Sequence, residues 1–347
     1  MEIDLALPQS AGKERTTVKS STGVTAQRPL AQLGREIWKN RVIYLLLLPG
    51  IVWFAIFAYM PMGGLILAFK EYNAKMGIWG SPWVWLENFR YLFRDPAFWE
   101  SVWRTLAINL GKLVVSVPVP ILLALMLNEM RLRRYGKVLQ TVFTFPYFLS
   151  WIIVSGILIN VLSNSGLLNS FLGLFGIGPI NILGSEKAFV PLLYISEIWK
   201  SSGWSAIVYI AAIAGIDQEQ YEAAEIDGAT RLQMMFRITL PSILPTIVVM
   251  FILATGSVMT SGFDQIFNLS NAATKNVAEV LDMYIYRVTF QGSTDFGYST
   301  AVSLFRSVIN MVLLVLADFG ARRFGGTGLF GEGGTSHGKK KKRKAVR

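Results

Sequence analysis

The chain contains no cysteine and a single histidine, His337, in 347 residues. Disulfides and thiolate metal sites are therefore excluded, and one histidine in a charged tail removes most histidine-based catalytic and metal chemistry. Charge is scarce too, at 16% of residues against 52% hydrophobic. With a mean hydropathy of +0.44 the chain is too apolar for an ordinary soluble domain. Its apolar residues gather into long runs, which predicts an all-α integral membrane protein.

Six runs reach the roughly 20 residues that a hydrocarbon core requires. They lie near 42–69, 100–127, 138–162, 188–214, 242–263 and 299–319. The net charge is +11, and its distribution reads as topology rather than as a nucleic-acid footprint. With the N-terminus inside, 22 of the 33 basic residues fall on the cytoplasmic side, seven on the other and four within spans. That bias places both termini in the cytoplasm. Three parts are expected: a polar N-terminal extension at 1–41, a transmembrane domain at 42–319 and a basic tail at 320–347. The first apolar run begins too far along the chain for a secretory signal. Trp79, Trp83 and Trp85 in the outer loop 70–98 read as headgroup-boundary aromatics.

The tail carries a decoy. Gly333-x4-Gly338-Lys339 approaches a phosphate-binding loop, but Lys340 stands where Ser or Thr would hold magnesium, with no strand before it and no helix after. The basic run from Lys339 to Lys344 fits attraction to anionic membrane lipid, with no nucleic acid implied.

Between the fourth and fifth runs lies a polar stretch, 216–241, with a repeatable spacing. Gln218 to Ile226 is expected to form a short helix with a small face at Ala223 and Ala224. Gly228 then permits a turn that a Cβ would strain. A second short helix is expected to reach about Leu240, where Pro241 closes it and a new helix starts. Asp217, Glu219, Glu222, Glu225 and Asp227 offer partners for arginine or lysine. An ordinary loop with Ala-rich turns shares this composition but not the spacing. Glu222-Ala223-Ala224, three residues, Gly228, nine residues, then Ile238-x-Leu240-Pro241 resembles the coupling loop of bacterial ABC importer permeases.

Further segments resemble the oligosaccharide branch of those permeases: Leu48-Pro49-Gly50, Tyr59-Met60-Pro61-Met62, Gly77 to Trp83, and Phe145-Pro146-Tyr147-Phe148. The likeness covers residues 40 to 325, and it lapses at Ser163-Asn164, where the pattern has a proline after the serine. The resemblance implies the six-helix type I ABC importer permease fold in a bacterial inner (cytoplasmic) membrane, crossed several times. It implies two cytoplasmic ATPase subunits that bind the ATP, so this chain carries neither cofactor nor metal and is not itself an enzyme. A second homologous permease subunit, an extracytoplasmic solute-binding protein and an oligosaccharide substrate complete the implied set. Glu222, Ala223, Ala224, Gly228, Ile238, Leu240 and Pro241 inherit the coupling role.

Ionisable residues inside spans are costly and face protein or water. Glu197 and Lys200, three apart on the fourth span, share a helical face and are expected to pair. Arg104 reads as snorkelling to the outer interface, whereas Lys112 and Arg306 leave pairing and pathway lining both open. Trp199, Trp204, Ser257, Thr260 and Ser261 are path candidates, since aromatic faces stack on sugar rings and hydroxyls pair with hydroxyls. Helix packing explains small polar residues equally well. An ion-coupled secondary carrier is the alternative function, with Glu197 as the one acid well inside a span. An intramembrane enzyme lacks any paired serine or carboxylate motif.

Overall fold

The structure, a computed structural model, describes residues 38–130, 132–260, 262–292 and 295–323. Most of the N-terminal extension, Ser261, the tail from residue 324 with His337, and the decoy loop lie outside the described residues. Among the described residues the regular structure is helical, with one isolated antiparallel bridge between Lys70 and Trp83.

Two units divide between Gly63 and Gly64. The first holds α1 (Arg41–Phe54), which passes into a wider π-type turn at Ala55–Tyr59. No residue of α1 is buried, and Leu45, Leu46 and Phe57 lie open. A helix that is apolar on every side needs lipid or another chain around it.

In the second unit α2 (Glu87–Arg94) leads to α3 (Pro96–Ser116). Asp95 caps α3, accepting from the Ala97 amide at 2.9 Å, and Pro96 takes the first helical position, where its missing N–H costs nothing. Pro118 opens α4 (Pro118–Asn128), so the apolar stretch Pro96–Asn128 is jointed at Val117. α5 (Arg133–Thr144) and α6 (Trp151–Leu162) divide what the sequence presented as one span at 138–162. Pro146 lies in a tight turn at Phe145–Phe148, Leu149 is extended, and Ser150 caps a new helix. The hydrophobic run hides this break because every residue from Val142 to Leu149 except Thr144 is apolar.

After α7 (Leu167–Gly173), α8 (Glu186–Ala214) is 29 residues long. Among the described residues five helical stretches are both long and apolar enough to cross a membrane, and α8 is not one of them. Its length suffices, at about 44 Å for 1.5 Å per residue. Its Lys187, Glu197, Lys200 and serines dilute the hydropathy, and Ser196, Lys200 and Ser202 are buried against neighbouring helices. α9 (Gln218–Ile226) and α10 (Arg231–Met234) precede α11 (Leu240–Thr255). α12 (Phe263–Leu269), α13 (Leu281–Tyr286) and α14 (Phe296–Arg323) follow, the last of them ending the described residues. The fifth expected span, 242–263, therefore ends at Thr255.

Three buried clusters hold the second unit. Ile121, Ala124 and Leu125 of α4 meet Ala206, Tyr209 and Ile213 of α8 and Ile243 of α11. Leu92, Phe98 and Val102 meet Leu281, Tyr284 and Val302. Ile108 meets Phe189, Leu193, Ile266 and Leu269. Tyr284 also bonds Asp95 (2.5 Å) and Tyr298 (2.7 Å). Burial and the Asp95 carboxylate both push its hydroxyl above the usual phenol range, so it stays a donor. Arg306, one of the two residues left open, pairs with Asp282 and ties α14 to α13. Arg104 pairs with Glu100 one turn away at 2.9 Å.

A surface elbow and a buried polar cavity

The elbow begins where α8 ends. Asp217 caps α9 by accepting from the Glu219 amide at 3.1 Å. At the other end Gly228 has φ +76°, the left-handed conformation expected there. The Ala229 amide reaches back to the Ala224 carbonyl at 2.9 Å and the Gly228 amide to Glu225 at 3.0 Å, which satisfies the carbonyls of the last turn. A reciprocal capping box between Thr230 and Gln233 starts α10.

Beyond this point the chain departs from expectation. Pro241 does not close a helix; Arg231–Thr255 is one helical stretch of 25 residues. A proline in a helix strands the carbonyl four residues back and crowds it. The wider turn at Met235–Thr239 immediately upstream opens that crowded region, so the helix continues.

The elbow has two faces. Inward, Met235, Ile238, Leu240 and Tyr221 pack on the first cluster, and the Tyr221 hydroxyl bonds buried Thr239 at 2.8 Å. Outward, α9 has no buried residue, its carboxylates are exposed, and Ile226 (87% exposed), Leu232 and Phe236 project beside them. Ala224, Gly228 and Ile238 line one concavity of about 420 Å³ with Asp227, Met234 and Arg237. Glu222 and Ala223 are exposed outside that hollow, Leu240 faces the core, and Pro241 is exposed. The seven sequence candidates thus divide between a surface and its support.

The second site is a cavity of about 350 Å³ lined by residues of α3, α6, α8 and α11 and of the turn that follows α11. Asn109, Lys112 and Ser116 present one stripe of α3 to it, at positions three and four apart. Glu197 and Ser257 are the two sequence candidates on its wall. The expected pairing of Glu197 with Lys200 gives way to another. Glu197 pairs with Lys112 at 3.7 Å and accepts from Ser201 at 2.6 Å. Lys112, with 8% of its side chain exposed, also donates to Gln265. Gln265 in turn donates to the Leu193 carbonyl at 2.7 Å and to Ser196 at 2.9 Å. Asn109 holds the Val258 carbonyl at 2.6 Å. This network joins α3, α8 and α12, leaving few buried polar atoms idle.

Gly262 shapes the wall. Its φ is +97°, and a Cβ there would stand 2.9 Å from the Lys112 ammonium. Lys200 turns away to the Tyr147 carbonyl at 2.8 Å, between the rings of Tyr147 and Trp151, 5.2 and 5.6 Å from its ammonium. Trp204 stacks flat on Tyr147 at 4.7 Å. Trp199 is 48% exposed and Thr260 is exposed, so neither joins the cavity. Lys112, for which pairing and pathway lining were both open, does both here, whereas sequence reasoning missed Asn109, Gln265 and Trp151. The i, i+3, i+7 spacing of Asn109, Lys112 and Ser116 was the available signal for α3, and Gln265 had none.

Comparison with known proteins bears on both sites. Residues 116–326 match the family described as "Binding-protein-dependent transport system inner membrane component". The chain is 41% identical over 296 residues to the polygalacturonan/rhamnogalacturonan transport system permease protein YteP of Bacillus subtilis, covering 85% of this chain and 92% of that protein. Protein LplB of the same organism is 39% identical, with 87% and 93% covered. A solved bacterial alginate ABC transporter, in complex with an alginate pentasaccharide-bound periplasmic protein, contains a chain with TM-score 0.78 and 38% identity. That match covers 86% of this chain and all of the other. The chain belongs to the binding-protein-dependent transport system inner membrane components and is a multi-pass permease subunit of an ABC transporter.

Proposed function

We propose that this chain is one half of an oligosaccharide importer's membrane pathway. It pairs with a second homologous permease, two cytoplasmic ATPase subunits that bind and hydrolyse the ATP, and a solute-binding protein that delivers the sugar from outside. Both termini lie in the cytoplasm, residues 42–319 form the membrane domain, and 1–41 and 320–347 are appendages. Sugar as cargo draws on relatives whose names specify polygalacturonan, rhamnogalacturonan and alginate.

The observation that carries this reading is the course of the two limbs of the elbow. One limb is continuous with α11, a stretch about 37 Å long at 1.5 Å per residue. α11 contributes Ala254 to the cavity near its far end. The other limb joins α8, which carries Glu197. An ATPase that grips the exposed face near Glu222, Ala223, Ala224 and Gly228 therefore pulls on two helices of the cavity wall. Ile238, Leu240 and the Tyr221–Thr239 bond keep the elbow from folding away from its helix. ATP binding draws the elbows together and opens the cavity outward; hydrolysis reverses it.

Gly228→Pro tests the coupling. Proline holds φ near −65° and cannot adopt +76°. The variant is expected to insert in the membrane but lose ATPase copurification and uptake. Normal recovery of both would overturn the assignment. An ion-coupled carrier is disfavoured because its one candidate acid, Glu197, is engaged by Lys112 and Ser201.

A further inference from the structure

A second hollow, of about 270 Å³, shares no lining residue with the central cavity. α11 runs away from the elbow and α14 returns, so the segment 256–295 between them lies at the opposite, outer end. Phe267 and Tyr286 form an aromatic wall of the hollow, with ring centroids 5.1 Å apart. Phe263 and Phe290 extend that cluster at 5.3 and 5.5 Å. Lys275, Glu279, Arg287 and Gln291 line the same hollow. Arg287 donates through Nε to Glu279 at 2.7 Å, which leaves its two terminal nitrogens unspent. Among the described residues the Tyr286 hydroxyl, the Lys275 ammonium and the Gln291 amide have no hydrogen-bond partner. Water meets such groups anywhere on a surface. Here they converge beside a ring wall, which is the composition of a small-molecule site. The volume falls below the roughly 300 Å³ at which whole drug-sized ligands fit, so the hollow takes one unit of a longer chain.

Resting on the oligosaccharide reading above, we propose that this hollow is an entry subsite, which holds one sugar ring of the cargo outside the central cavity. A pyranose offers C–H groups on its face and hydroxyls around its rim, so it meets the rings and the unspent donors together. An acyl chain would leave the donors unmet, and a bare anion would leave the rings unused. The site reads ring and hydroxyls, whatever charge the cargo carries. α12 ties the two places together. Gly262 lines the cavity just before it, Gln265 belongs to the Lys112 network, and Phe267 lines the hollow. From Gly262 to Phe267 is about 7.5 Å along a helix, a span that neighbouring units of one oligosaccharide cover. The outer ring of a chain therefore stays held while the next one enters the cavity.

The chain has no cysteine, so one can be placed as a reporter. Gln291→Cys, in the hollow, and Ala273→Cys, exposed on the same segment outside it, are labelled with a maleimide. The whole complex with its ATPases is used in lipid nanodiscs, without the solute-binding protein, and uptake is measured separately in proteoliposomes. Trigalacturonate, an alginate trisaccharide and maltotriose are the probes. A probe that the complex imports is expected to slow labelling at 291 about tenfold at roughly ten times its Kd, and to leave 273 unchanged. Tyr286→Leu keeps bulk but removes ring and hydroxyl. It is expected to raise the protecting concentration at least about tenfold, the scale of one hydrogen bond plus stacking. Unchanged labelling of Ala273→Cys in that variant reports a folded segment. No protection at 291 by a sugar that the unaltered complex imports would overturn the proposal and leave import standing. So would undiminished protection in folded Tyr286→Leu, or protection given by sugar-free solute-binding protein and by no sugar, which would make the hollow a docking surface. If the unaltered complex imports no saccharide, the sugar reading fails and takes the proposal with it.

Discussion

The elbow and the cavity use charge in opposite ways. Around the elbow, the five carboxylates of Asp217–Asp227 stand in solvent, and among the described residues none of them forms an ion pair. In the cavity, each ionised group is caged by named partners. Exposed charge is cheap to leave open and therefore suits a surface that engages another protein. Buried charge is costly to leave open and therefore fixes geometry. The elbow is a reversible grip, and the cavity is a set shape that must be rearranged by force from outside.

The largest test of that contrast is to remove one partner of the buried pair. Lys112→Met leaves Glu197, whose side chain is 24% exposed, beside Ser201 with its cation gone, at a cost of about 3 kcal/mol, the low end for a buried pair because water reaches that carboxylate. Thermal unfolding of the detergent-solubilised protein is expected to show that loss, and Lys112→Met with Glu197→Gln to recover most of it. Neutralising Glu219 and Glu225 together is expected to leave the melting temperature nearly unchanged. Equal destabilisation of both sites would break the comparison.

Gly262→Ala is the next step down. It forces a Cβ into a left-handed backbone position and against the Lys112 ammonium. A cost of about 1–3 kcal/mol is expected from the strain. The same measurement checks it, and Gly256→Ala, which has an ordinary φ of −64° and whose Cβ likewise meets a side-chain tip (Leu314 Cδ1 at 2.8 Å), isolates the backbone part of the cost.

The sequence was most informative where a feature is local. Gly228 could be read as left-handed because a turn's dihedral demand falls on one residue, and α9 could be read from a cap and a small face. The break at Pro146 was missed because apolar residues continue straight through it, and the continuity through Pro241 because a wide turn upstream has no residue signature. The cavity was only half legible for another reason. Spacing says which face of its own helix a side chain occupies, but not which distant segment it meets. Lys112 finds Gln265 153 residues away. The expected Glu197–Lys200 pair was a sound local inference that a better-placed cation displaced.

Between the two regions lie the contacts that transmit force, and they are individually weak. Tyr221→Phe removes the bond to Thr239, worth about 1 kcal/mol, without opening a cavity. It is expected to leave assembly intact and to lower transport per ATP hydrolysed, since the elbow can then flex against α11. Arg231→Ala breaks a 4.0 Å pair with Glu129 in which 59% of the arginine side chain is exposed. Its expected cost is below about 1 kcal/mol and is erased by salt. If Arg231→Ala uncoupled hydrolysis from uptake more than Tyr221→Phe does, the force would run through α4 rather than α11. The elbow would then be a lever on a different helix from the one it continues into.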